Sequence, residues 1–543
     1  SRTDDVDEYL KLWINETFSG NHGEKMAHIL NDFSQLTNVR KIELMDSDVF
    51  SQTAYGDEAA VRINRYRELV READEVYASL PENERAAFYQ LCLMKLHAAY
   101  YTNCMFYYAD RSALCTRQQK AQAAYKYAAL CRKYDDRRRQ LLFYYNNVMC
   151  DGRWSGILTP EDFPPPRTAM LPACVIPLTP LDKVEKRLIV TLWNDGQDIS
   201  FVKQDAKWLE LANAGAGWLT VKIETPEWID ILYEGAEHST ASENGIEKKC
   251  VKIITGAEAR VGIKPSLTSL HGLADTGADR QILCGSIRIL CAETNQTMEI
   301  PVTADYKLMK LGSETAVEDG GSVVLEADKA GELDNTGWHR IKHLGRDHGS
   351  LLEADADVCG DDKKRKRADV DCGSGAAFRF CIKKDTDNAV LELHRFPSLN
   401  STGRIRAEVS IDDGERMLVE SVSNDEWRGS WKLNILNNVD KLTVSLPKLT
   451  QGEHTLHVYA VDKYFAFSRA VIYTETVKQS MFGGSTGEYD CSGDADCVWE
   501  EMLPCNEQND DIESDNVCDA LYGKIELKPR PMLVAGVTPG SNT

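Results

Sequence analysis

The chain has 543 residues, with 63 Lys or Arg against 85 Asp or Glu and a net charge of −22. Hydrophobic residues make up 43% and charged residues 27%, the balance of globular domains, which excludes a wholly disordered chain. No run of about 18 apolar residues occurs, so no membrane-spanning helix is expected, and the acidic balance speaks against nucleic acid as a partner. An acidic polysaccharide would need a local basic patch, because the field of the whole molecule repels it. At roughly 100–200 residues per domain, the length implies about three or four domains. The chain begins Ser1-Arg2-Thr3-Asp4, with no Met, basic n-region or apolar h-region, and is expected to be a piece of something longer.

Residues 1–158 read as an antiparallel helical bundle. Leu10, Trp13, Ile14 and Phe18, then Met26, Ile29, Leu30 and Phe33, recur at helical spacing. Tyr66, Leu69, Val70, Ala73, Val76 and Tyr77 form an apolar stripe opposite Arg65, Arg67, Glu68, Arg71, Glu72 and Asp74. Pro81 suits a first helical turn, and Gly152 a helix end. Seven prolines between Pro160 and Pro180 make 159–181 a linker or extended arm.

Beyond Pro180 the period becomes two. Leu188, Val190 and Leu192, then Leu219, Val221 and Ile223, alternate with outward positions, and 182–312 reads as a β-sandwich. A second β-rich unit, 320–478, has strands around Phe378, Val390, Val409, Val444 and Val458 and turns at Asp412-Asp413-Gly414 and Gln451-Gly452. It reads as a jelly-roll-like, carbohydrate-binding-module-like sandwich. Residues 480–543 turn to Gly, Ser, Asp, Glu and Asn, an acidic, Cys-containing tail expected to be largely disordered. The fold class is therefore multidomain α + β, an N-terminal antiparallel helical bundle followed by two β-sandwich domains.

The 16 cysteines include no Cys-x-x-Cys pair, which removes the strongest zinc and thioredoxin-type signatures. Cys92, Cys104, Cys115, Cys131 and Cys150 fall on helices, where Cys behaves as a small buried hydrophobe. Cys491, Cys497, Cys505 and Cys518 leave disulfides, a weak metal site and reduced thiols open, with reduced thiols favoured. Cysteine usage leans towards a cytoplasmic setting, and an absent true N-terminus leaves secretion open.

No dinucleotide, Walker A, zinc-protease or nucleophile-elbow motif occurs. His339, His343 and His348 stand among Arg340, Lys342 and Arg346, and cations repel a metal, so a solvated loop is the expectation. Lys363 to Arg367 is bracketed by Asp361, Asp362, Asp369 and Asp371 and reads as a self-neutralised loop. Glu161-Asp162 and Asp412-Asp413 are adjacent carboxylates, whereas a glycosidase needs two set on opposite sides of the scissile bond. No catalytic constellation, metal site or cofactor is expected.

Several short motifs nevertheless recur in a recognisable order. The helical region carries Arg40-Lys41-Ile42-Glu43-Leu44, Phe50-Ser51 with Tyr55 and Glu58, Leu80-Pro81, Tyr145-Asn146 and Gly152-Arg153-Trp154. The distal sheets carry Val324-Leu325-Glu326-Ala327, Leu344-Gly345-Arg346, Pro397-Ser398-Leu399-Asn400, Ser410-Ile411-Asp412-Asp413 and Gly452-Glu453-His454-Thr455-Leu456. From about residue 6 to about 475 the chain resembles the C-terminal part of glycoside hydrolase family 115, the xylan α-1,2-glucuronidases. The resemblance implies a metal-free, inverting enzyme that removes glucuronic acid or its 4-O-methyl ether from glucuronoxylan, often as a homodimer. It also implies a catalytic barrel upstream, so this chain would be inactive alone and no catalytic residue is assigned. Tyr55, Arg153 and Trp154 are the candidate substrate-binding residues, with Arg153 suited to a uronate carboxylate. Ordinary packing for Trp154 and a helix-end charge for Arg153 are the simpler roles.

One stretch departs from the family: Gly156 to Phe163 keeps one aromatic where relatives carry an aromatic, His-bearing segment, which implies altered substrate preference or lower activity. The alternative is a non-catalytic carbohydrate-binding or scaffold protein with Trp338, Trp427 and Trp431 as sugar platforms.

Overall fold

The computed structural model describes residues 6–157, 172–233, 237–243, 246–266, 282–311, 315–330, 332–333, 337–342, 344–345, 349–354, 375–398, 405–420, 434, 437–484, 515–523, 525–527 and 534–537. Helices α1 (Val6–Thr17), α2 (Gly23–Val39), α3 (Glu58–Ser79), α4 (Glu82–Phe88), α5 (Met94–Arg117) and α6 (Ala121–Phe143) build the bundle. In α3 the stripe Tyr66, Leu69, Val70, Ala73 and Val76 is buried. Helix α5 is buried on every side from Leu96 to Ala109, which makes it the central helix. The short connection Gln118–Lys120 turns α6 back along it. Two π-helical turns, Tyr89–Leu93 and Tyr144–Val148, bring Tyr89 and Tyr144 edge-on at 5.4 Å. Cys92, Cys104, Cys115 and Cys131 are buried as expected, whereas Cys150 is exposed.

The first sandwich pairs a four-stranded with a six-stranded sheet. The smaller has the order β2 (Leu188–Leu192), β4 (Lys207–Asn213), β9 (Ala259–Pro265), β6 (Ile229–Leu232). The larger runs β3 (Ile199–Phe201), β11 (Gln296–Asp305), β10 (Ile282–Cys291), β5 (Leu219–Pro226), β8 (Ile246–Thr255), β7 (Glu237–Glu243). Alternation sends Leu209, Leu211, Val221, Ile223, Val251 and Ile253 into one core. Helix α7 (Tyr306–Lys310) leads to the second sandwich.

One sheet of that sandwich orders β12 (Thr315–Val317), β17 (Ala376–Ile382), β22 (Gly452–Ala460), β19 (Arg406–Ile411), β20 (Met417–Glu420), with β14 (Glu332–Leu333) on β17. The other orders β15 (Trp338–Ile341), β16 (Leu351–Ala354), β23 (Ala466–Tyr473), β18 (Val390–Arg395), β21 (Asp440–Ser445), with β13 (Ser322–Glu326) on β23. Phe378, Phe380, Leu391, Leu393, Phe467 and Ile472 fill the space between them.

Two segments differ from expectation. Within the stretch read as a linker or extended arm, β1 (Cys174–Pro177) gains a partner that reading did not assign, pairing in parallel with β24 (Val534–Val537), Cys174 opposite Val534. In the segment read as a loose tail, α8 (Asp515–Tyr522) delivers Tyr522, fully buried, to the bundle core, and Phe482 is buried there too. Val517 and Leu521, one turn apart, pack on the same core beside Tyr522, so a short amphipathic helix anchors this otherwise polar segment.

Candidate functional site at the Tyr55 junction

The connection from α2 to α3 ends in three consecutive left-handed residues, Tyr55 (φ 55°), Gly56 (φ 71°) and Asp57 (φ 76°). Only glycine adopts this conformation freely, so the surrounding structure must hold the other two in place. The first sandwich does so at Gly56: its N–H donates to Asn194 Oδ1 at 3.0 Å, and its carbonyl accepts from Trp208 Nε1 at 3.1 Å. A Cβ there would lie 2.1 Å from the Trp193 ring, which makes glycine obligatory. Asp57 caps α3 through Ala60 N–H at 3.0 Å, and its other oxygen accepts from Tyr107 at 3.1 Å and Arg260 at 2.6 Å.

The second sandwich holds the same turn from the other side. Tyr55 donates its hydroxyl to the Lys478 carbonyl, and Glu58 accepts from the Ser480 hydroxyl and from Phe482 N–H at 2.9 Å. The Phe482 ring lies 5.5 Å from that of Phe50. Burial, reinforced by the nearby Glu58 carboxylate, pushes the Tyr55 phenol up to about 12, so it stays a donor at neutral pH. Behind this contact Glu392 accepts from His394 (2.7 Å), Lys441 (3.0 Å) and Gln479 (3.0 Å).

Below the turn lies a buried charge cluster. Glu210 and Glu258, on the first sandwich, meet Arg111 and Lys120 of the bundle. Arg260 bridges Glu210 at 2.9 Å to Asp57. Three cations face three carboxylates, all buried. Burial alone would push the Glu210 carboxyl up, but Arg111, Lys120 and Arg260 outweigh it and hold Glu210 well below the usual range. Tyr127 and Cys115 also donate to Glu258. Carboxylates so fully engaged have no lone pair turned towards a substrate. The arrangement fastens the bundle to the sandwich and fixes its orientation.

The three residues expected to bind substrate are not gathered into one site. Tyr55 sits at the junction. Arg153 is exposed just after the Met149–Gly152 turn, and Trp154 packs on the bundle core with its indole N–H buried and without an acceptor. Among the described residues no hydrogen bond, ion pair or ring contact joins Tyr55 to either. Trp338 packs edge-on against Phe465 and Phe467, at 6.4 and 5.7 Å, as a core residue rather than a sugar platform. His339 and Arg340 are exposed on β15. Trp427, Trp431, His343, Arg346, His348, Lys363–Arg367, Glu161, Asp162, Cys491, Cys497 and Cys505 lie outside the described residues. No group of three metal-binding side chains occurs among the described residues, and no helix there is long and apolar enough to cross a membrane. Sequence reasoning missed Asp57, Arg111, Lys120, Glu210, Glu258 and Arg260. Charged residues in otherwise apolar helix and strand segments, such as Glu210 between Leu209 and Leu211, were the available signal.

Residues 315–486 match the family model of the Glycosyl hydrolase family 115 C-terminal domain. The match spans roughly a third of the chain. It covers the second sandwich and the stretch that reaches Glu58. No curated protein matches the chain. Among solved structures, a family 115 4-O-methyl-α-glucuronidase with specificity for decorated arabinogalactans aligns at 13% identity and TM-score 0.48, over 87% of this chain and 42% of that one. The chain thus spans less than half of that enzyme. A CBM35 module from Cellvibrio japonicus aligns at 14% identity and TM-score 0.18, over 30% of this chain and 97% of that one. A C-terminal CBM6 of a laminarinase from Zobellia galactanivorans aligns at 10% identity and TM-score 0.19, over 28% and 98%. Likenesses this low say nothing of what the present chain binds.

Proposed function

We propose that this chain is the supporting half of a family 115 α-glucuronidase, acting on (4-O-methyl)glucuronic acid side chains of glucuronoxylan, with its catalytic barrel supplied upstream and a second copy as partner. The observation that carries this reading is a family 115 C-terminal domain in one chain with a helical bundle that it grips directly through Glu58. An inverting glycosidase needs two carboxyl groups about 6.5–9.5 Å apart with room for water between them. The junction carboxylates are instead saturated by cations and N–H groups, which suits a bracing role. Bracing matters to catalysis because a displacement of about 1 Å in a positioned group lowers rate strongly.

The test is uronic-acid release from glucuronoxylan. The chain by itself is expected to release none, and the protein extended upstream of Ser1 to release it readily. Release by the isolated chain, or an inert extended protein, would remove this reading.

A further inference from the structure

An open groove of about 710 Å³ lies on the outer face of the six-stranded sheet of the first sandwich, within the size range of small-ligand sites. Its floor is one straight row across the ladder: Thr297 opposite Leu290, Leu290 opposite Lys222, and Lys222 opposite Lys252. The neighbours Val221, Val251 and Ile289 are buried in the core, so alternation turns Lys222, Lys252 and Leu290 outward.

Two ammonium groups directly opposite each other repel, and this happens on a chain of net charge −22. Glu224 compensates Lys222, at 2.6 Å, and Glu293 at the groove's end is engaged by Thr220 N–H at 3.0 Å. Lys252 is exposed. Asn295 adds an amide beside the row. Outside the groove's lining, next to Thr220, Ile254 stands opposite Thr220 and Trp218 two residues before Thr220, 61% and 55% exposed. An exposed indole four residues before Lys222, with the Thr220 hydroxyl between them, suits an extended sugar chain rather than a single ring. One pyranose stacks its apolar face on the indole while the carboxylate of another, further along the chain, meets the lysine row.

We propose that this groove binds a short uronic-acid-bearing glycan, with Trp218 as the stacking surface and Lys252, seconded by Lys222, as the counter-ion of the uronate. The choice of a uronate rests on the α-glucuronidase reading; the groove itself does not.

Calorimetric titration of the full chain tests it with three probes: xylotetraose, xylotetraose carrying one glucuronic acid, and trigalacturonate. Both acidic probes should bind roughly three- to fivefold tighter than xylotetraose, the range of one exposed ion pair. Lys252→Met should erase that preference while leaving xylotetraose binding unchanged. Trp218→Ala should weaken all three by about tenfold, with circular dichroism showing an intact fold. Equal affinities for acidic and neutral probes, or a preference that survives Lys252→Met, would overturn the proposal. Trigalacturonate bound through Trp218 and Lys252 while the substituted xylotetraose is refused would uphold the groove and count against the α-glucuronidase reading. Absence of heat with all three would overturn the groove and leave that reading to the uronate-release assay.

Discussion

The carboxylate of Glu58, in the first turn of α3, accepts a 2.9 Å hydrogen bond from the backbone N–H of Phe482, 424 residues further along the chain. A helix N-terminus favours a negative charge, so the same carboxylate serves the α3 dipole and the distal segment. Glu58→Ala should leave the Phe482 N–H and Ser480 hydroxyl without their acceptor and cost about 1–3 kcal/mol. Hydrogen exchange should report it as loss of protection at Phe482, with the second-sandwich strands unchanged.

The charge cluster makes a sharper prediction. Glu210→Gln leaves three buried cations against two carboxylates and should destabilise the protein by about 3–5 kcal/mol. Adding Lys120→Met restores the balance, so the double variant should lose less than the sum of the two single changes. Thermal unfolding of the four proteins measures the coupling directly.

Two groups should give opposite pH dependences. Burial pushes the Glu392 carboxyl up, but His394 and Lys441 outweigh it and bring it down to about 2 from an ordinary 4.5. A folded pKa below the unfolded value stabilises fully above the unfolded pKa, and the effect is lost as pH falls from about 4.5 towards 2. Glu392→Gln should flatten the acid limb of the stability curve.

His454 lies on the other side of neutrality. Burial lowers its pKa, but bonds to Asp412 and to the Thr450 carbonyl, both at 2.8 Å, outweigh this and raise it. A raised folded pKa stabilises fully below the unfolded value near 6.5, and the contribution disappears as pH rises through the folded pKa. Asp412→Asn should lessen that slope while keeping the Thr455 N–H bond through its amide oxygen. Urea unfolding at several pH values between 5 and 8 checks it.

Tyr522 donates to or accepts from His97 Nδ1 at 3.1 Å and the Tyr89 hydroxyl at 3.0 Å, while His97 Nε2 faces Asp74 at 2.9 Å. Tyr522→Ala removes a fully buried ring and should cost about 3–5 kcal/mol. Tyr522→Phe removes only the hydroxyl and should cost about 1 kcal/mol. Limited proteolysis should show the C-terminal segment released first in Tyr522→Ala.

The elements were legible in the sequence wherever a period repeated. Tyr66, Leu69, Val70, Ala73 and Val76 announce α3 at helical spacing, and Val221 with Ile223 announces β5 at spacing two. The junction was not legible, because its partners, such as Asp57 and Arg260 or Tyr55 and Lys478, are hundreds of residues apart and share no local pattern. Tyr522 escaped for another reason: its apolar stripe with Val517 and Leu521 spans only an eight-residue helix inside a long polar stretch. Trp338 shows the converse limit, since an aromatic on an alternating strand looks alike from sequence whether it faces Phe467 or solvent.

The left-handed turn at Tyr55–Asp57 bears on how this polypeptide can be divided. Cut at the proline-rich stretch after residue 157, the helical fragment would carry Arg111 and Lys120 stripped of their carboxylates and Asp57 without Arg260, and the strand fragment would carry Glu258 without a cation and Glu210 with Arg260 alone. Neither half is a portable module. Moving the first sandwich into another protein requires transferring the helices with it or rewriting all six charges at once.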